Sequence, residues 1–298
     1  IASTPTHVTV RNVVLARAQE MSGRFRNAQA QIDDLQHGVN GQLNDAVRSV
    51  NSLASRIGDL NGQIQRAQGG GQQPNDLLDQ RDELVRQLNS QVQASTVAAS
   101  DGSLNIFVGS QALVLGTPGA AVSLQAAADG TSALTITRGA VTQGLDESNL
   151  GGGAIAGLLR FQNSDLAAAR DGLGRMALAI TSAINEQHRL GVDLNGQPGA
   201  AFFTPIAIPD ALAADWNTGT AQVSAEVADP TALVASSYQV SFDSSGAVEI
   251  KRLADGKTST FSGSMPIEID GLSISLASGS AAAGDSFVLK PYPRAAGA

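Results

Sequence analysis

Apolar side chains recur near the start of the chain at the spacing of a helical seam. Between Met21 and Ile64 they are separated by steps of three and four residues in near-regular alternation, which is the pattern of a heptad repeat. At 1.5 Å per residue such a helix is about 65 Å long, well beyond the average helix of a globular protein. The pattern therefore predicts a rod whose apolar face needs a partner.

One irregularity interrupts this seam. The steps from Leu35 to Val39 and from Val39 to Leu43 are both four residues long, a stutter that locally unwinds a supercoil. Gly38 and Gly41 lie beside it. We expect a bend or a loosening of the helix at this point.

A second helix is predicted directly after the rod. The run GGGQQPN at 69–75 cannot continue a helix. Residues 74–92 then read PNDLLDQRDELVRQLNSQV, and Leu77, Leu84 and Leu88 fall on one apolar face. We predict that this helix folds back antiparallel against the rod.

The charges of this second helix have a structural interpretation. Asp76, just after Pro74, is a plausible N-cap. Asp82 and Arg86 are spaced for an i, i+4 ion pair. Neither feature requires a chemical role.

The apolar period then changes twice. Alternating residues such as Leu104, Ile106 and Val108 predict strands in an insertion at about 95–148. Helical spacing returns after Asn149 and continues to Leu190. From residue 204 to 298 alternation returns, with turn signals at residues 245–246 and 270–271.

These periods predict an α+β protein. We expect an elongated bundle of long helices with a small β insertion, plus a separate, mainly antiparallel β domain. The domains would be a helical rod at 1–203, with the insertion at about 95–148, and a β domain at 204–298. The side chains predicted to pack the helices are Ile32, Leu35, Leu43, Val50, Leu53, Ile57, Leu60, Leu77, Leu84, Leu88, Leu166, Leu173 and Ile180.

Composition excludes several classes of function. The formal net charge is −8 and no basic stripe occurs, so nucleic acid is not predicted as a partner. There is no cysteine, so disulfides and thiol chemistry are excluded. The sequence has no apolar run long enough to span a bilayer, and we predict no membrane insertion. Aromatic residues make up only 4%, with Trp216 as the single tryptophan, which disfavours a sugar site.

Two glycine-rich or acidic stretches imitate ligand sites. Gly151, Gly153 and Gly157 precede an apolar helix as in a dinucleotide-binding loop, but no βαβ pattern surrounds them, and a flexible joint is favoured. Residues 193–196 resemble the start of a calcium loop, but its later ligands are missing, and a tight turn is favoured.

His188 lies near Glu186 and Asp193 without a second histidine close in sequence. We predict a residue at a helix end that is hydrogen-bonded to the following turn, in preference to a metal ligand or a general base. The serines lack a GxSxG setting and a paired histidine. We therefore predict no cofactor, no metal site and no enzymatic activity.

Three segments together resemble the flagellar hook-associated protein 1 family. They are PNDLLDQRDELVRQLN at 74–89; GGGAIAGLLRF with LAAARDGLGRMALAITSAINEQHRLGVDLNGQPGAAFF at 151–203; and DGLSISLASGSAAAGDSFVLKP at 270–291. They occur in this order behind the heptad seam. The resemblance spans most of the chain.

The resemblance implies a structural subunit of the bacterial flagellum that joins hook to filament and serves filament assembly. It implies an extracellular protein that leaves the cell through the flagellar type III apparatus without a cleaved signal. Its partners would be further copies of itself in a ring, the hook protein and hook-associated protein 3. An export chaperone would bind the family's C-terminal segment, which is missing from this chain.

This chain departs from the family pattern because the extreme N- and C-terminal helical segments are absent. We interpret it as a core fragment whose helical bundle is incomplete, with part of an apolar face exposed. We expect a monomer in solution.

Two other interpretations stay open at this point. The chain resembles other axial proteins, such as hook-associated protein 3 or a flagellin, which also combine helical rods with β lobes. A carbohydrate-binding or carbohydrate-active β domain on a helical stalk is a further alternative, which would require a concave pocket with convergent acids or aromatic rings.

Overall fold

The computed structural model describes residues 7–71, 73–126, 131–193, 195–292 and 295–297. The chain divides into two compact units, one of residues 35–166 and one that combines residues up to 34 with residues from 167 onward. Within the described ranges, every helix is too short or too polar to cross a membrane.

Helices form where the sequence has its two apolar seams and its fold-back segment. The first seam is a single helix of 62 residues, unbroken through the stutter at Leu35–Leu43. The prediction of a long helix is confirmed. The helices are α1 Val8–Gly69, α2 Asn75–Gln91, α3 Ala154–Arg160 and α4 Ala167–Arg189, with a 3-10 turn at Glu147–Asn149 and a π-helix at Phe161–Leu166.

The strands form antiparallel sheets in both β-rich regions. The strand bounds are β1 Ala94–Ala98, β2 Leu104–Val108, β3 Gln111–Leu115, β4 Thr117–Pro118, β5 Ala120–Ala126, β6 Ser132–Arg138, β7 Val141–Leu145, β8 Leu212–Ala213, β9 Gln222–Val227, β10 Tyr238–Phe242, β11 Val248–Arg252, β12 Thr258–Phe261, β13 Ile267–Ile269, β14 Leu272–Ser278 and β15 Ser286–Leu289. In the unit of residues 35–166 the sheet orders are β1-β2-β3-β4 and β5-β6-β7, and in the other unit they are β12-β11-β10-β15-β8 and β13-β14-β9.

The core of residues 35–166 lies where α1 meets α2, α3 and both sheets of this unit. The regular spacing along α1 buries one face from Val39 to Leu60, and the partner side chains come mainly from α2, α3 and strands of both sheets. This burial supplies the hydrophobic stabilisation of the helix. Fully or nearly buried members of the core include Leu43, Val50, Ile57, Leu88, Ile106, Leu113, Leu134, Ile155 and Leu159.

Two asparagines on α1 fix the sheets to the helix. The Asn51 side chain donates to the Val122 carbonyl and accepts from the Val122 amide, both at 2.8 Å. Asn61 is fully buried. It donates to the carbonyls of Leu104 and Gly116 at 2.9 Å and accepts from the Leu104 amide at 3.0 Å. These bonds satisfy backbone groups that water cannot reach.

Arg81 connects α2 to the same cluster. Its Nη1 donates to Asn61 Oδ1 at 3.2 Å and to the Gly102 carbonyl at 2.9 Å. Arg81 is charged, yet its side chain is buried on the same face of α2 as Leu84 and Leu88, which lie one and two turns further along. The bond from Arg81 to Asn61 places α2 alongside α1, as the fold-back prediction required.

Two details of α2 differ from the predictions. The helix begins at Asn75 with Pro74 as N-cap and without a side-chain cap, so Asp76 is a first-turn residue and not the cap. Its carboxylate therefore stands at the positive end of the helix dipole. Arg86 forms its ion pair with Glu83, one residue closer than the predicted partner Asp82.

The second seam contains a π-helix that its apolar period does not reveal. Gln162 within it is buried, and its Nε2 donates to Asn40 Oδ1 at 2.9 Å and to Ser132 Oγ at 3.0 Å. Asn163 donates to the Ser132 carbonyl at 2.9 Å and accepts from its amide at 3.1 Å. The wider turn brings both polar side chains to Ser132, the first residue of the central strand β6.

In the other unit, the β sheets and α4 share one core. The predicted turns are confirmed, since Gly246 and Gly271 adopt positive φ between their strands. A Cβ at Gly174 of α4 would lie 2.5 Å from the Tyr292 carbonyl oxygen, so only glycine permits this approach. Burial raises the pKa of Asp171 on the same helix, whose carboxylate accepts a long bond of 3.4 Å from Ser237 Oγ.

Candidate interaction surface

Most of the side chains predicted to pack the helices are buried or half-buried. Ile32, Leu77, Leu173 and Ile180 are half-buried. The buried members of the set are Leu43, Val50, Leu53, Ile57, Leu60, Leu84, Leu88 and Leu166.

Leu35 differs from the rest because its side chain is 52% exposed. The stutter explains the difference. Two successive steps of four residues rotate Leu35 by about 80° relative to Leu43 around the helix. The side chain thereby leaves the face that packs, while Val39 between them stays buried.

An apolar groove lies between the first turns of α1 and the end of α4. It has a volume of about 1060 Å³ and is lined on one side by α1 residues between Arg11 and Met21. On the other side lie Ile184 at the end of α4 and the loop from Gly191 to Phe203. Several apolar side chains that line the groove are open to solvent, with Val13 55%, Leu15 50% and Val192 72% exposed. Such a contiguous exposed apolar surface marks an interaction site.

The loop wall of the groove is held by a buried asparagine. Asn185 Oδ1 accepts from the amides of Phe202 and Phe203, both at 2.8 Å, and its Nδ2 donates to the Phe203 carbonyl at 3.0 Å. His188 Nδ1 lies 2.6 Å from the Ala200 carbonyl oxygen. The loop therefore returns to α4 and presents the Phe202 ring, which packs edge-on against Phe203 at 4.9 Å.

A tight turn completes this wall. Asp193 Oδ1 accepts from the amides of Asn195 and Gln197 at 2.7 and 2.8 Å, and these bonds lower the pKa of the Asp193 carboxyl. The turn favoured over a calcium loop is confirmed on these residues, although Leu194 lies outside the described residues, as does Gln72 of the GGGQQPN break. The predicted role of His188 at a helix end is also confirmed.

The glycine joint before α3 is ordered by close contact. Gly151 and Gly153 have φ values of +69° and +98°. A Cβ at Gly153 would lie 2.7 Å from the Gln91 carbonyl oxygen. The glycines thus permit the chain to pass close to the end of α2, which differs from the flexible joint that we predicted.

Across the described ranges of the chain, no group of three or more His, Asp or Glu side chains is placed to hold a metal ion. Trp216 is 70% exposed. The apolar groove is the largest concave surface described above, and it lacks convergent carboxylates. Its geometry suits the docking of an apolar helix face better than the chemistry of a small substrate.

The groove residues before Met21 were missed by the sequence analysis. Val13, Val14 and Leu15 form a short apolar cluster, and this cluster could have extended the seam towards the N-terminus. Asn185 carries no signal in the sequence, because an asparagine inside a helical pattern is usually solvent-exposed.

Long packed helices, antiparallel sheets and an open apolar groove are typical of the class of proteins that assemble with others through their surfaces. Comparisons with known proteins agree with this class. The family model described as "Flagellar hook-associated protein FlgK helical domain" matches residues 1–203, and the one described as "Flagellar hook-associated protein 1, D2-like domain" matches residues 212–291. The chain belongs to the flagellar hook-associated protein 1 (FlgK) family.

Individual relatives support the assignment. Flagellar hook-associated protein 1 of Escherichia coli (strain K12) is 33% identical over 289 residues, which cover 94% of this chain and 52% of that protein. The protein of the same name from Bacillus subtilis (strain 168) is 30% identical over 223 residues, which cover 65% of this chain and 43% of that protein. The chain spans about half the length of the relatives that it matches.

A solved structure has the same fold. The flagellar hook junction protein FlgK from Burkholderia pseudomallei superimposes with a TM-score of 0.89 at 32% sequence identity. The match covers 99% of this chain and 55% of that one.

Proposed function

We propose that this chain is part of a structural subunit of the bacterial flagellum that forms the junction between hook and filament and serves filament assembly. The observation that carries the proposal is family membership over nearly the whole chain, on a fold whose main exposed feature is an apolar docking groove. The subunit has no enzymatic role in this proposal.

The partners follow from the same proposal. Copies of the subunit adjoin one another in a ring, with the hook protein on one side and hook-associated protein 3 on the other. An export chaperone binds the family's C-terminal segment, which this chain does not include. The subunit is extracellular and leaves the cell through the flagellar type III apparatus.

The proposed domains are a helical rod at 1–203 and a β domain at 204–298, in which the rod carries subunit contacts and the β domain faces outward. The apolar groove belongs to the rod. Because the relatives are nearly twice as long as this chain, we propose that a helical segment of the complete protein covers the groove. The exposed Val13, Leu15 and Val192 side chains would become buried on that contact.

Cysteine cross-linking in assembled flagella tests this assignment. The chain has no cysteine, so single cysteines can be placed on the exposed rod positions Ala30 and Ala168 and on the exposed β-domain position Ser244. We expect the rod positions to cross-link neighbouring copies at the hook–filament junction. Links confined to the β domain would refute the rod assignment, and absence of the protein from the junction would refute the function.

A further inference from the structure

The single tryptophan of the chain lies on a rigid part of the β domain and points into solvent. Tryptophan is normally among the more buried residue types, yet Trp216 is 70% exposed. The residue follows β8, the edge strand of the five-stranded sheet. Leu212 on β8 is exposed as well.

Hydrogen bonds hold the chain on both sides of Trp216, and before it the Ala214 amide donates to the Ser286 carbonyl at 3.0 Å. Asn217 donates to the Ser286 carbonyl and accepts from the Ser286 amide, both at 2.9 Å. The buried Asp285 carboxylate accepts from the amides of Thr218 and Gly219 at 2.8 and 3.1 Å. The indole is therefore displayed by a preformed loop, so little conformational entropy is lost when a partner covers it. Rigid, exposed tryptophans are frequent anchors of interfaces.

The surroundings of Trp216 are acidic. Asp210 precedes β8 and Asp215 directly precedes the tryptophan, and both are exposed. We call Asp210, Leu212, Asp215 and Trp216 the acidic edge. A partner for this edge needs an apolar contact between two positive charges.

The opposite edge of the same sheet carries an apolar residue between two positive charges. The turn between β11 and β12 carries exposed Leu253, flanked by the exposed lysines Lys251 and Lys257. We call these three residues the lysine hairpin. The chain has only three lysines, and two of them are here.

The lysine hairpin is also preorganised. Arg252 donates to Asp270 at 2.9 and 2.6 Å and to Asp255 at 2.9 Å. The acid within the turn, Asp255, is thus paired with Arg252. A second acid, the exposed Glu249, lies two residues before Lys251. The acidic edge and the lysine hairpin are therefore two rigid patches of complementary charge at opposite edges of one sheet.

We propose that the acidic edge of one copy binds the lysine hairpin of a second copy, with Trp216 against Leu253 and a lysine ammonium on the indole face. A lysine over an indole ring adds a cation–π contact. Because the two patches differ, the contact is heterologous and repeats from copy to copy, which produces a ring or a helical array and not a closed twofold dimer. The inference rests on the proposed function only in that copies of the subunit adjoin one another.

Tryptophan fluorescence tests the contact directly, since Trp216 is the only reporter. A trace of the chain is mixed with increasing amounts, up to millimolar, of the Trp216→Ala variant, which keeps the lysine hairpin but does not emit as tryptophan. We expect a blue shift of the emission and a roughly two-fold fall in quenching by acrylamide, because one face of the indole leaves water. Added salt should reverse both changes.

Matched variants identify the partner surface. A dark chain with Lys251→Glu and Lys257→Glu in addition to Trp216→Ala should leave the emission unchanged, with circular dichroism confirming its fold. A tracer with Asp210→Lys and Asp215→Lys should regain the shift with that double lysine variant. An unchanged emission with the Trp216→Ala chain, or a shift that persists after both lysines are reversed, overturns the proposal. Either result leaves the cross-linking test of the rod and the junction unaffected.

Discussion

The buried Asn61 offers a quantitative test of how the sheets are held on α1. In Asn61→Ala the carbonyls of Leu104 and Gly116, the Leu104 amide and Arg81 Nη1 lose the partner described above. Each unsatisfied buried group costs about 1–3 kcal/mol. Since Arg81 keeps its bond to Gly102 and water can enter part of the space, we expect a total loss of about 3–5 kcal/mol.

Two other asparagines of α1 serve as graded controls. Asn51 makes two bonds to Val122, and we expect Asn51→Ala to cost about 1–3 kcal/mol. Asn44 is exposed and donates only to the Asn40 carbonyl. Asn44→Ala should be neutral or stabilising by up to about 0.7 kcal/mol, because alanine is the better helix former.

The assay is urea unfolding followed by far-ultraviolet circular dichroism, with hydrogen exchange of the Leu104 and Val122 amides as a local measurement. The urea midpoint should be highest for Asn44→Ala, lower for Asn51→Ala and lowest for Asn61→Ala, while the dependence of the unfolding free energy on urea keeps the same slope. The Leu104 amide should lose protection in Asn61→Ala and keep it in Asn51→Ala. An Asn61→Ala variant as stable as Asn44→Ala would refute the argument that this side chain holds the sheet to the helix.

Three further predictions concern other parts of the chain. Gly153→Ala should lower the free energy of unfolding by about 1–3 kcal/mol because of the positive φ and the contact with Gln91; Gly157→Ala, with open space around it, should be neutral or stabilising in the same urea assay. Hydrogen bonds from backbone amides, first that of Ala282, lower the pKa of the Asp285 carboxyl in the folded protein. The stabilisation that this carboxylate gives is therefore present above the ordinary aspartate pKa and is lost as the pH falls through the native pKa. The stability of Asp285→Asn should change less than that of the parent chain below about pH 4, and an equal dependence of stability on pH in the two proteins would contradict this. Val192→Ser should reduce the binding of a hydrophobic dye with little change in unfolding midpoint, since this side chain lines the groove and is 72% exposed; unchanged dye binding would show that the groove is not the exposed apolar surface.

The fold was predictable wherever hydrophobic periodicity alone determines which face is buried. The rod, the fold-back helix and the alternating strands follow from spacing, because a shift of one residue would expose their apolar side chains. Leu35 shows the limit of this reasoning. The seam assigned it to the packed face, whereas the accumulated rotation of the stutter places it in solvent.

Polar interactions that depend on tertiary contacts could not be predicted. Asn61, Gln162 and Asn185 occur in helical patterns where a polar residue is expected on the surface, yet each is buried against the backbone or side chains of a distant segment. Their role depends on which strand or loop arrives opposite them. The ion pair of Arg86 likewise depends on side-chain rotamers, since Glu83 and Asp82 are both within reach along the helix.

We propose that the chain serves the joint between hook and filament through its surfaces and not through catalysis. Deleting its gene and examining the cells by electron microscopy tests this most directly. We predict intact hooks without filaments and filament subunits shed into the medium, both reversed by the complete gene. Normal filaments, together with the loss of an enzymatic activity, would contradict the account.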